Sequence, residues 1–282
     1  MAKNKIFMVA LSVMLLGTAL LGACTKEEEN SPTPTYNVRI LGSTTVQPLA
    51  EVLAEKFMDA NKYENGKNKY NVTVGGGGSG VGVSSAKDGT ADLGSISREL
   101  SVNEAADGLS AYVIAIDGIA IIVNPGNNVS NLTKDQIKDI FAGNITNWNQ
   151  VGGANQSITV VTRESGSGTL DAFNGLVMNG TQITSGAIIQ GSNGSVKTSV
   201  INTTGAIGYI SLGMVDNTVK ALSVDGVAAT VANVKNDTYK LWRNLYLVSK
   251  GVPNDAASDF LNFIRSSAGQ QIVVDEGYIS IL

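Results

Sequence analysis

Three segments rich in glycine, serine and threonine stand where a short β-branched run gives way to an amphipathic stretch. They cover residues 42–46, 75–82 and 163–169. Glycine lets the backbone approach a ligand closely, and a helix start presents unpaired N–H groups and the positive end of the helix dipole. Serine and threonine hydroxyls add further donors. Three such turns facing one point would form an uncharged, donor-rich cage for a small oxyanion, whereas one turn alone is equally consistent with ordinary helix capping.

Arg163 adds a positive charge to the third of these segments. A guanidinium directly before residues 165–169 can donate a planar fork of hydrogen bonds to an oxyanion held at the helix start. The alternative is a surface ion pair with Glu164 or another neighbour. Three turns combined with one arginine favour anion binding over that alternative.

The composition excludes several kinds of chemistry. The chain has no histidine, which rules out Ser-His-Asp and Cys-His catalysis, histidine-containing metal sites and a histidine pH switch. Cys24 is the only cysteine, so no intrachain disulfide can form. Residues 75–80 fit G-x-G-x-x-G and residues 84–87 fit S-x-x-K, but the sequence lacks the other elements of dinucleotide sites and of penicillin-recognising enzymes. We therefore predict no catalytic residues, no metal and no cofactor.

The formal net charge of the chain is −4, and removal of two N-terminal lysines with a signal peptide would make it −6. An acidic chain without a basic cluster is unsuited to binding nucleic acid. Any anion site must therefore be built from local donors rather than from net charge.

The N-terminal residues predict export and lipid attachment. Two lysines precede an apolar run at residues 6–21, which is shorter than a comfortable membrane span. The Leu-Gly-Ala-Cys sequence that ends at Cys24 resembles the lipobox of bacterial lipoproteins, which implies cleavage before the cysteine and a diacylglyceryl thioether on its sulfur. We therefore expect a signal peptide at residues 1–23 and a lipid-anchored, flexible tether at residues 24–35.

Short β-branched runs alternate with amphipathic helices, which predicts an α/β architecture. The runs at residues 119–123 and 245–248 are interpreted as strands that cross between two lobes. Their positions assign residues 36–117 and 244–282 to lobe I and residues 118–243 to lobe II. The predicted strands cover residues 37–41, 71–74, 92–95, 112–116, 119–123, 158–162, 207–210 and 245–248.

Three helices are predicted from apolar spacing and capping residues. Val46 begins an apolar stripe at helical spacing that extends to Phe57. Thr133 and Gln136 fit a capping box at the start of a second helix. A last helix, near the C-terminus, is expected to stop near Gly269.

Short motifs follow one another in a fixed order through residues 37–282. They are Gly-Ser-Thr-Thr-Val at 42–46, Gly-Gly-Ser-Gly at 77–80, Ala-Asp-Leu-Gly at 91–94, Ser-Arg at 97–98, Asp-Gly-Ile-Ala at 117–120, Ile-Phe-Ala-Gly at 140–143, Arg-Glu at 163–164, Ser-Gly-Thr at 167–169 and Gly-Ala-Ile-Gly-Tyr at 205–209. On these motifs the chain resembles the substrate-binding lipoproteins of the phosphate-specific (Pst-type) ABC importers. The resemblance implies a two-lobed periplasmic-binding-protein fold of type II, with two hinge-strand crossovers and phosphate in the interlobe cleft.

The resemblance also implies which residues bind the ligand. The phosphate-binding residues that it implies are Thr44, the backbone N–H of Thr45, Ser79 and Ser97 in lobe I, and Arg163, Ser167, the backbone N–H of Gly168 and Thr169 in lobe II. The chain departs from the family pattern at Ser97 and Ser165. Some members have a carboxylate at the first position, which accepts the proton of hydrogen phosphate, and an acidic partner of the arginine at the second.

Selectivity for phosphate over sulfate requires an acceptor, because phosphate retains a proton near neutral pH and sulfate does not. A carboxylate accepts a hydrogen bond from that proton and repels an oxyanion without one. Asp117, beside Gly118 at the predicted crossover, is the candidate acceptor, and the alternative is that it caps a hinge turn. Arg98 is expected either to be a second cation at the phosphate site or to form an ion pair with Asp117.

We therefore predict a non-catalytic, extracytoplasmic binding protein, a monomer anchored to the cell membrane by lipid at Cys24. It would capture inorganic phosphate between its lobes and deliver it to the permease subunits of an ABC importer. Because the ligand contacts both lobes, it would favour the closed state. Three alternatives stay open: the same fold binding another tetrahedral oxyanion such as sulfate or molybdate, an exported phosphatase, and an adhesive or signalling surface protein.

Overall fold

The computed structural model describes residues 34–282. The predicted signal peptide, Cys24 and all but the last two residues of the predicted tether lie outside this range. A π-helical turn at Asn174–Met178 continues α5, and single 3-10 turns cover Trp148–Val151 and Leu212–Met214. In chain order the other elements are β1 (Tyr36–Gly42), α1 (Val46–Ala60), β2 (Tyr70–Gly75), α2 (Ser79–Asp88), β3 (Leu93–Ile96), α3 (Val102–Ala106), β4 (Leu109–Val123), β5 (Asn131–Leu132), α4 (Lys134–Ala142), β6 (Thr159–Arg163), α5 (Gly168–Phe173), β7 (Ile188–Gln190), α6 (Asn193–Asn202), β8 (Ala206–Ser211), β9 (Lys220–Ala221), β10 (Ser223–Val224), α7 (Val231–Lys235), β11 (Trp242–Lys250), α8 (Asp255–Arg265) and α9 (Ser267–Asp275).

One mixed sheet connects most of these strands, in the order β2-β1-β3-β11-β4-β8-β6-β7. β1 runs parallel to β2 and β3, and β6 runs parallel to β7 and β8. β11 is antiparallel to both β3 and β4, and β8 is antiparallel to β4. The two long strands β4 and β11 therefore lie between two mainly parallel halves.

Buried apolar side chains form separate clusters on the two halves. The first cluster draws on residues 38–115 and 245–278 and packs β1, β2 and β3 against α1, α8 and α9. The second draws on residues 119–241, joined by Ile279. Smaller clusters cover the opposite faces of the sheet. Each half thus has helices over both faces of its strands, and we name the two halves the first lobe and the second lobe.

β4 and β11 carry the chain from one lobe to the other. β4 pairs with β11 over residues 109–118 and with β8 over residues 119–123. The antiparallel register of β4 and β11 places Asp117 opposite Arg243. A carboxylate and a guanidinium are therefore side by side at the point where the chain passes between the lobes.

The prediction of separate strands at residues 112–116 and 119–123 is wrong, because β4 is continuous across both. Asp117 and Gly118 keep their pairing with β11. Because glycine is disfavoured within strands, Gly118 suggested a break between the two predicted strands. Its role here is close packing, since a Cβ added to Gly118 would lie 3.0 Å from Cδ2 of Leu212.

The predicted helix starts are confirmed. α1 begins at Val46. At the start of α4 the Thr133 hydroxyl accepts a hydrogen bond from the backbone N–H of Gln136, and the Gln136 side chain accepts one from the N–H of Thr133. Among residues 34–282, no helix combines the length and the apolar character that a membrane span requires.

The prediction that the last helix stops near Gly269 is wrong. α8 ends earlier, and Ser266 caps a further helix, α9, by accepting a hydrogen bond from the N–H of Gly269 at 3.2 Å. A Cβ added to Gly269 would collide with the carbonyl oxygen of Phe263 and lie too close to that of Ile264. The glycine is therefore a point of close helix contact rather than a helix stop.

α2 packs against the ends of β1 and β3 through glycines. A Cβ added to Gly42 or Gly82 would collide with the carbonyl oxygen of Ser95. A Cβ added to Gly94 would collide with the carbonyl oxygen of Gly82. The N–H of Gly78 donates to the carbonyl oxygen of Gly42 at 2.9 Å. The first two glycine-rich turns therefore lie side by side.

We expect Gly82→Ala to lower the free energy of unfolding by about 1–3 kcal/mol, as overpacking of a close contact does. The added methyl group has to displace the backbone of Ser95. Gly175→Ala is the matched control, because among the described residues no atom outside its own helical turn lies within 4 Å of its added Cβ. Urea unfolding of both variants measures the difference, and equal midpoints would contradict the packing argument.

Candidate anion-binding site

The first glycine-rich turn links β1 to α1 and presents Thr45. The Ser43 hydroxyl oxygen accepts hydrogen bonds from the N–H of Thr45 at 3.2 Å and from the N–H of Val46 at 3.4 Å. The backbone N–H of Thr45, which the family resemblance suggested as a ligand donor, is therefore engaged within the turn. The buried Thr45 hydroxyl faces the cleft between the lobes.

The second turn presents Ser79 at the start of α2, and Ser97 follows β3 beside it. Both serines are buried. The N–H of Ser97 donates to Ser79 Oγ at 3.0 Å, and the two hydroxyl oxygens lie 3.3 Å apart. Gly77 and Gly78 enter the helix with positive φ values of 133° and 90°, which favour glycine.

The third turn leads from β6 into α5, in the second lobe. The Ser167 hydroxyl caps α5 by accepting from the N–H of Leu170 at 3.3 Å. Gly168, at the helix start, lies against the serine pair of the first lobe. A Cβ on Gly168 would be 2.7 Å from Ser97 Oγ and closer still to Ser79 Oγ. A glycine is therefore required for this approach of the two lobes.

Turns from the two lobes meet across the cleft. Thr45 Oγ1 of the first lobe lies 3.1 Å from Thr169 Oγ1 of the second. The N–H of Gly80 donates to the carbonyl oxygen of Gly166 at 2.9 Å. The structure thus brings the three glycine-rich segments to one place, which we name the cage.

Asn193 is a cage residue that the sequence pattern did not reveal. It begins α6, is fully buried, and donates through Nδ2 to Thr45 Oγ1 at 2.9 Å and to Thr44 Oγ1 at 3.3 Å. Its Oδ1 accepts from the N–H of Ser211 at 3.2 Å, which fixes the orientation of the amide. Residues 190–194, Gln-Gly-Ser-Asn-Gly, form a fourth strand-to-helix turn, and their composition was the signal that could have found it.

Arg243 is the second residue that the sequence pattern did not reveal. Only 6% of it is exposed, and its Nη2 donates to Asp117 Oδ2 at 3.0 Å and to Thr45 Oγ1 at 3.1 Å. Its Nε and Nη1 have no hydrogen-bond partner within residues 34–282. The predicted crossover strand at residues 245–248 began too late to include it.

Asp117 reaches the cage only through Arg243, whose Nη2 donates both to the Asp117 carboxylate and to Thr45 Oγ1. Its Oδ1 accepts from Ser211 Oγ at 2.8 Å, so both carboxylate oxygens accept a hydrogen bond. Burial raises the pKa of the Asp117 carboxyl, while the charge of Arg243 and the hydroxyl of Ser211 act against that rise. Burial also lowers the pKa of Arg243, against the charge of Asp117, and the positive charge of Arg163 adds to that lowering.

The hydrogen-bond directions around Thr45 can be assigned. Its Oγ1 accepts from Asn193 and Arg243, whose N–H groups can only donate, so both of its lone pairs are used. The Thr45 hydrogen must then point to Thr169 Oγ1, and Thr169 keeps its own hydrogen for a further acceptor. A chain of bonds thus runs from Arg243 through Thr45 to Thr169, and each bond polarises the next.

Arg163 is buried in the second lobe, with 3% of the residue exposed. Its Nε and Nη2 donate to the two carboxylate oxygens of Glu164 at 2.8 and 2.9 Å, and its Nε also approaches the carbonyl oxygen of Gln190 at 3.2 Å. Its Nη1 has no partner within the described residues. The ion pair with Glu164 therefore exists, but the guanidinium is buried rather than on the surface. The acidic partner of Arg163 is therefore Glu164, since position 165 of this chain is a serine.

Arg98 makes its contacts away from Asp117. Its Nη1 and Nη2 donate to Glu104 Oε2 and Oε1 at 2.7 and 2.8 Å, and its Nε lies 2.9 Å from Asp171 Oδ2. The predicted ion pair of Arg98 with Asp117 is wrong, because Arg243 is the partner of that carboxylate. These contacts also give no support to Arg98 as a cage cation. Arg98 instead connects the first lobe to α5 of the second.

The cage offers donors rather than metal ligands. Within residues 34–282, no group of three or more histidine, cysteine, aspartate or glutamate side chains could hold a metal ion. Buried donors without a partner cost about 1–3 kcal/mol each. Arg163 Nη1, together with Arg243 Nε and Nη1, carries that cost within the described chain. An oxyanion that accepts hydrogen bonds from such donors removes that cost.

Comparison with known proteins assigns the family. Residues 27–268 match the PBP superfamily domain. The phosphate-binding protein PstS of Bacillus subtilis is 33% identical over 293 residues, with 100% of this chain and 95% of that protein covered. PstS of Borreliella burgdorferi is 31% identical over 285 residues, covering 97% and 98% of the two chains. This chain belongs to the PstS family. The predicted family is thereby confirmed.

Solved structures of the family confirm the predicted α/β, two-lobed fold. A Clostridium perfringens protein described as a phosphate ABC transporter substrate-binding protein, crystallised with bound phosphate, is 40% identical and superposes with a TM-score of 0.82. The alignment covers 87% of this chain and all of that one. An ABC-type phosphate transport receptor from Vibrio cholerae is 38% identical, with a TM-score of 0.69 over 86% of this PstS-family chain and 99% of the receptor.

Glu104, which holds the Arg98 guanidinium, makes the stability of this region depend on pH. The hydrogen bond from Arg98 lowers the pKa of Glu104 from 4.5 to about 2, although burial opposes the shift. The folded state therefore binds fewer protons than the unfolded state. The contribution of Glu104 is complete above the unfolded pKa and is lost as the pH falls through the folded pKa of about 2.

We expect Glu104→Gln to lower the free energy of unfolding at neutral pH by about 1–2 kcal/mol, less than the full pKa shift implies because the pair is partly solvated. The variant should then lose less stability than the wild type between about pH 5 and about pH 2.5. Urea unfolding at both pH values measures this. Asp59→Asn is the control, since its ion pair with Lys62 is exposed, and it should leave stability at neutral pH unchanged. Parallel pH curves for Glu104→Gln and wild type would refute the assignment.

Proposed function

We propose that this chain captures inorganic phosphate in the cage between its lobes and delivers it to an ABC importer. The observation that carries the proposal is the meeting of Thr45 and Thr169 beside Arg243, whose Nε and Nη1 lack partners in residues 34–282. Arg163 Nη1, at the third glycine-rich turn, also lacks one there. A tetrahedral oxyanion accepts hydrogen bonds in several directions and fits such a set of donors. Membership of the PstS family, and the phosphate bound by the Clostridium perfringens relative, support phosphate as that oxyanion.

Both lobes contribute to the proposed phosphate site. Donors from each lobe let one ligand stabilise the closed arrangement. Arg243 joins the residues that the sequence predicted, while Asn193 orients Thr45 and Asp117 orients Arg243. The proposed ligand residues are Thr44, Ser79 and Ser97 from the first lobe, Arg163, Ser167, Gly168 and Thr169 from the second lobe, and Arg243 from β11. Thr45 and Asn193, whose hydrogens are engaged with their neighbours, position the Thr169 hydroxyl for the ligand.

We further propose that the lobes move about the crossover strands, with boundaries at residues 117/118 and 243/244 as the sequence predicted. β4 and β11 are the elements that carry the chain from one core cluster to the other. The ion pair of Arg98 with Asp171 crosses the cleft and would form on closure. Hinge motions of this kind concentrate backbone change at a few residues.

Binding without catalysis is part of the proposal. A phosphatase of this kind would need an activated nucleophile beside a general base. The Thr45 hydroxyl oxygen accepts hydrogen bonds from Asn193 and Arg243, so its own hydrogen is directed toward Thr169 Oγ1. The carboxylates of Asp117 and Glu164 are each paired with an arginine. Neither carboxylate is placed to remove a proton from that hydroxyl.

We expect Arg163→Ala to weaken phosphate binding by about 2–4 kcal/mol, or roughly 30- to 1,000-fold in Kd, because it removes a buried charge-assisted donor. Isothermal titration calorimetry with inorganic phosphate measures the loss. Arg265→Ala, an exposed arginine in the last turn of α8, is the matched control and should bind as the wild type does. An unchanged Kd for Arg163→Ala would remove this residue from the site.

We also propose that the chain works outside the cytoplasm as a monomer tethered to the membrane by lipid on Cys24. The lipobox-like sequence before the cysteine supports this. The two acyl chains of a diacylglyceryl group anchor a protein without a membrane span. We expect Cys24→Ser to move the protein from the membrane fraction to the soluble fraction and to abolish labelling by radioactive palmitate. Its phosphate affinity should stay unchanged, and a variant that remains labelled would exclude Cys24 as the attachment site.

A further inference from the structure

A further connection between the lobes is made by residues 277–282, which follow α9 and which we name the strap. Tyr278 belongs to the buried cluster of the first lobe, and the next residue, Ile279, belongs to that of the second lobe. Backbone hydrogen bonds of 2.9 Å run in both directions between Ile279 and Ile116 of β4. The strap thus pairs with β4 at the residue before Asp117, where the chain passes between the lobes.

Gln270 of α9 fixes the strap on the side of the first lobe. Only 2% of this residue is exposed. Its Oε1 accepts from Ser280 Oγ at 3.0 Å and from the N–H of Ile281 at 2.9 Å. Its Nε2 donates to the carbonyl oxygens of Ile114 at 2.9 Å and Ile264 at 3.0 Å. Because both donors and both lone pairs of the amide are used, the strap is held in one position.

Tyr278 contacts both lobes through one side chain. Its buried hydroxyl donates to the carbonyl oxygen of Thr45, in the first glycine-rich turn, at 3.1 Å. Its ring packs on Gly213, in the turn that follows β8 of the second lobe, where an added Cβ would lie 2.8 Å from the ring atom Cζ. Burial raises the pKa of the Tyr278 hydroxyl, and the negative charge of Asp117 adds to that rise. The hydroxyl therefore keeps its proton and can donate.

The bond from Tyr278 completes the hydrogen bonding of Thr45. The N–H of Thr45 is held within its own turn, and its Oγ1 accepts from Asn193 and Arg243. Its carbonyl oxygen is the group that the strap holds. The Thr45 hydroxyl in turn directs its hydrogen to Thr169 Oγ1 across the cleft. The direction in which Thr169 presents its own hydrogen therefore depends on where the backbone of Thr45 lies.

We propose that Tyr278 is a positioning residue for anion binding, which holds the backbone of Thr45 so that the Thr169 hydroxyl is aimed at the ligand. This rests on the proposed phosphate site. Tyr278 acts without touching the anion, since donors that are held in place before binding lose less conformational freedom when the ligand arrives. Because its ring lies against Gly213, the same side chain links this alignment to the distance between the lobes.

We expect Tyr278→Phe to weaken phosphate binding by roughly 5- to 20-fold, because it keeps the ring and removes the hydrogen bond to the Thr45 carbonyl. Isothermal titration of the purified full-length protein with inorganic phosphate measures the loss, at a temperature where thermal unfolding shows each variant to be folded. Tyr239→Phe is the matched control, because Tyr239 is also buried and its hydroxyl also donates to a backbone carbonyl, that of Ile119, at 2.8 Å. It should lower the unfolding temperature similarly and leave Kd within about 2-fold of the wild type.

A second variant disturbs the same bond from the other lobe. Gly213→Ala should push the Tyr278 ring away from its place and weaken phosphate binding by at least about 5-fold. If both substitutions act through the bond from Tyr278 to Thr45, their effects are not independent. The double variant Gly213→Ala/Tyr278→Phe should then have a Kd within about 3-fold of Gly213→Ala alone.

Three outcomes would overturn the inference while leaving the phosphate site intact. They are a Kd for Tyr278→Phe within about 2-fold of the wild type, an equal loss of affinity in Tyr239→Phe, and losses that multiply in the double variant. The first would mean that the bond serves stability alone. The proposed function is tested separately, by the wild-type protein: if it does not bind phosphate, the function fails and the inference falls with it.

Discussion

The contact of one guanidinium with two partners, the carboxylate of Asp117 and the hydroxyl of Thr45, is the interaction on which the site depends. Arg243 provides it from β11, opposite Asp117 on β4. The same bond network therefore ties together the two crossover strands and the first glycine-rich turn. Because an unpaired buried charge is costly, removal of either charged partner would disturb both the pairing of β4 with β11 and the cage. Through Thr45, the arginine also directs the hydroxyl of Thr169 in the second lobe.

The charge arrangement explains how an acidic protein can hold an anion. The chain carries a net charge of −4, so attraction over long distances cannot concentrate an anion at the cleft. Each buried arginine is paired with a carboxylate, Arg243 with Asp117 and Arg163 with Glu164. What remains for a ligand is a set of directed N–H and O–H groups at short range. Directed donors in charge-balanced pairs discriminate by geometry and by the ligand's protons, which charge alone does not.

Close backbone approach is the second requirement, and glycine meets it on both sides of the cleft. Gly82 and Gly94 let the start of α2 reach the ends of the first-lobe strands. Gly168 lets the second-lobe turn reach the serine pair, and the Gly80 to Gly166 hydrogen bond joins the lobes through the backbone. At these glycines the absence of a Cβ atom is what permits the close contact. The cage is therefore narrow and its polar groups are buried, which strengthens every hydrogen bond within it.

The amino-acid sequence alone determined the features that local chemistry controls: the three glycine-rich turns, the cap at Thr133, Arg163 and the α/β class. Tertiary structure decided the partners. Arg243 meets Asp117 across 126 positions, and Asn193 meets Thr45 across 148, so no local pattern reports either contact. Glycine was misread at Gly118 and Gly269, because a residue without a side chain marks a turn and a close contact equally well in sequence. Which of the two it serves depends on what packs against it, and only the folded chain supplies that neighbour.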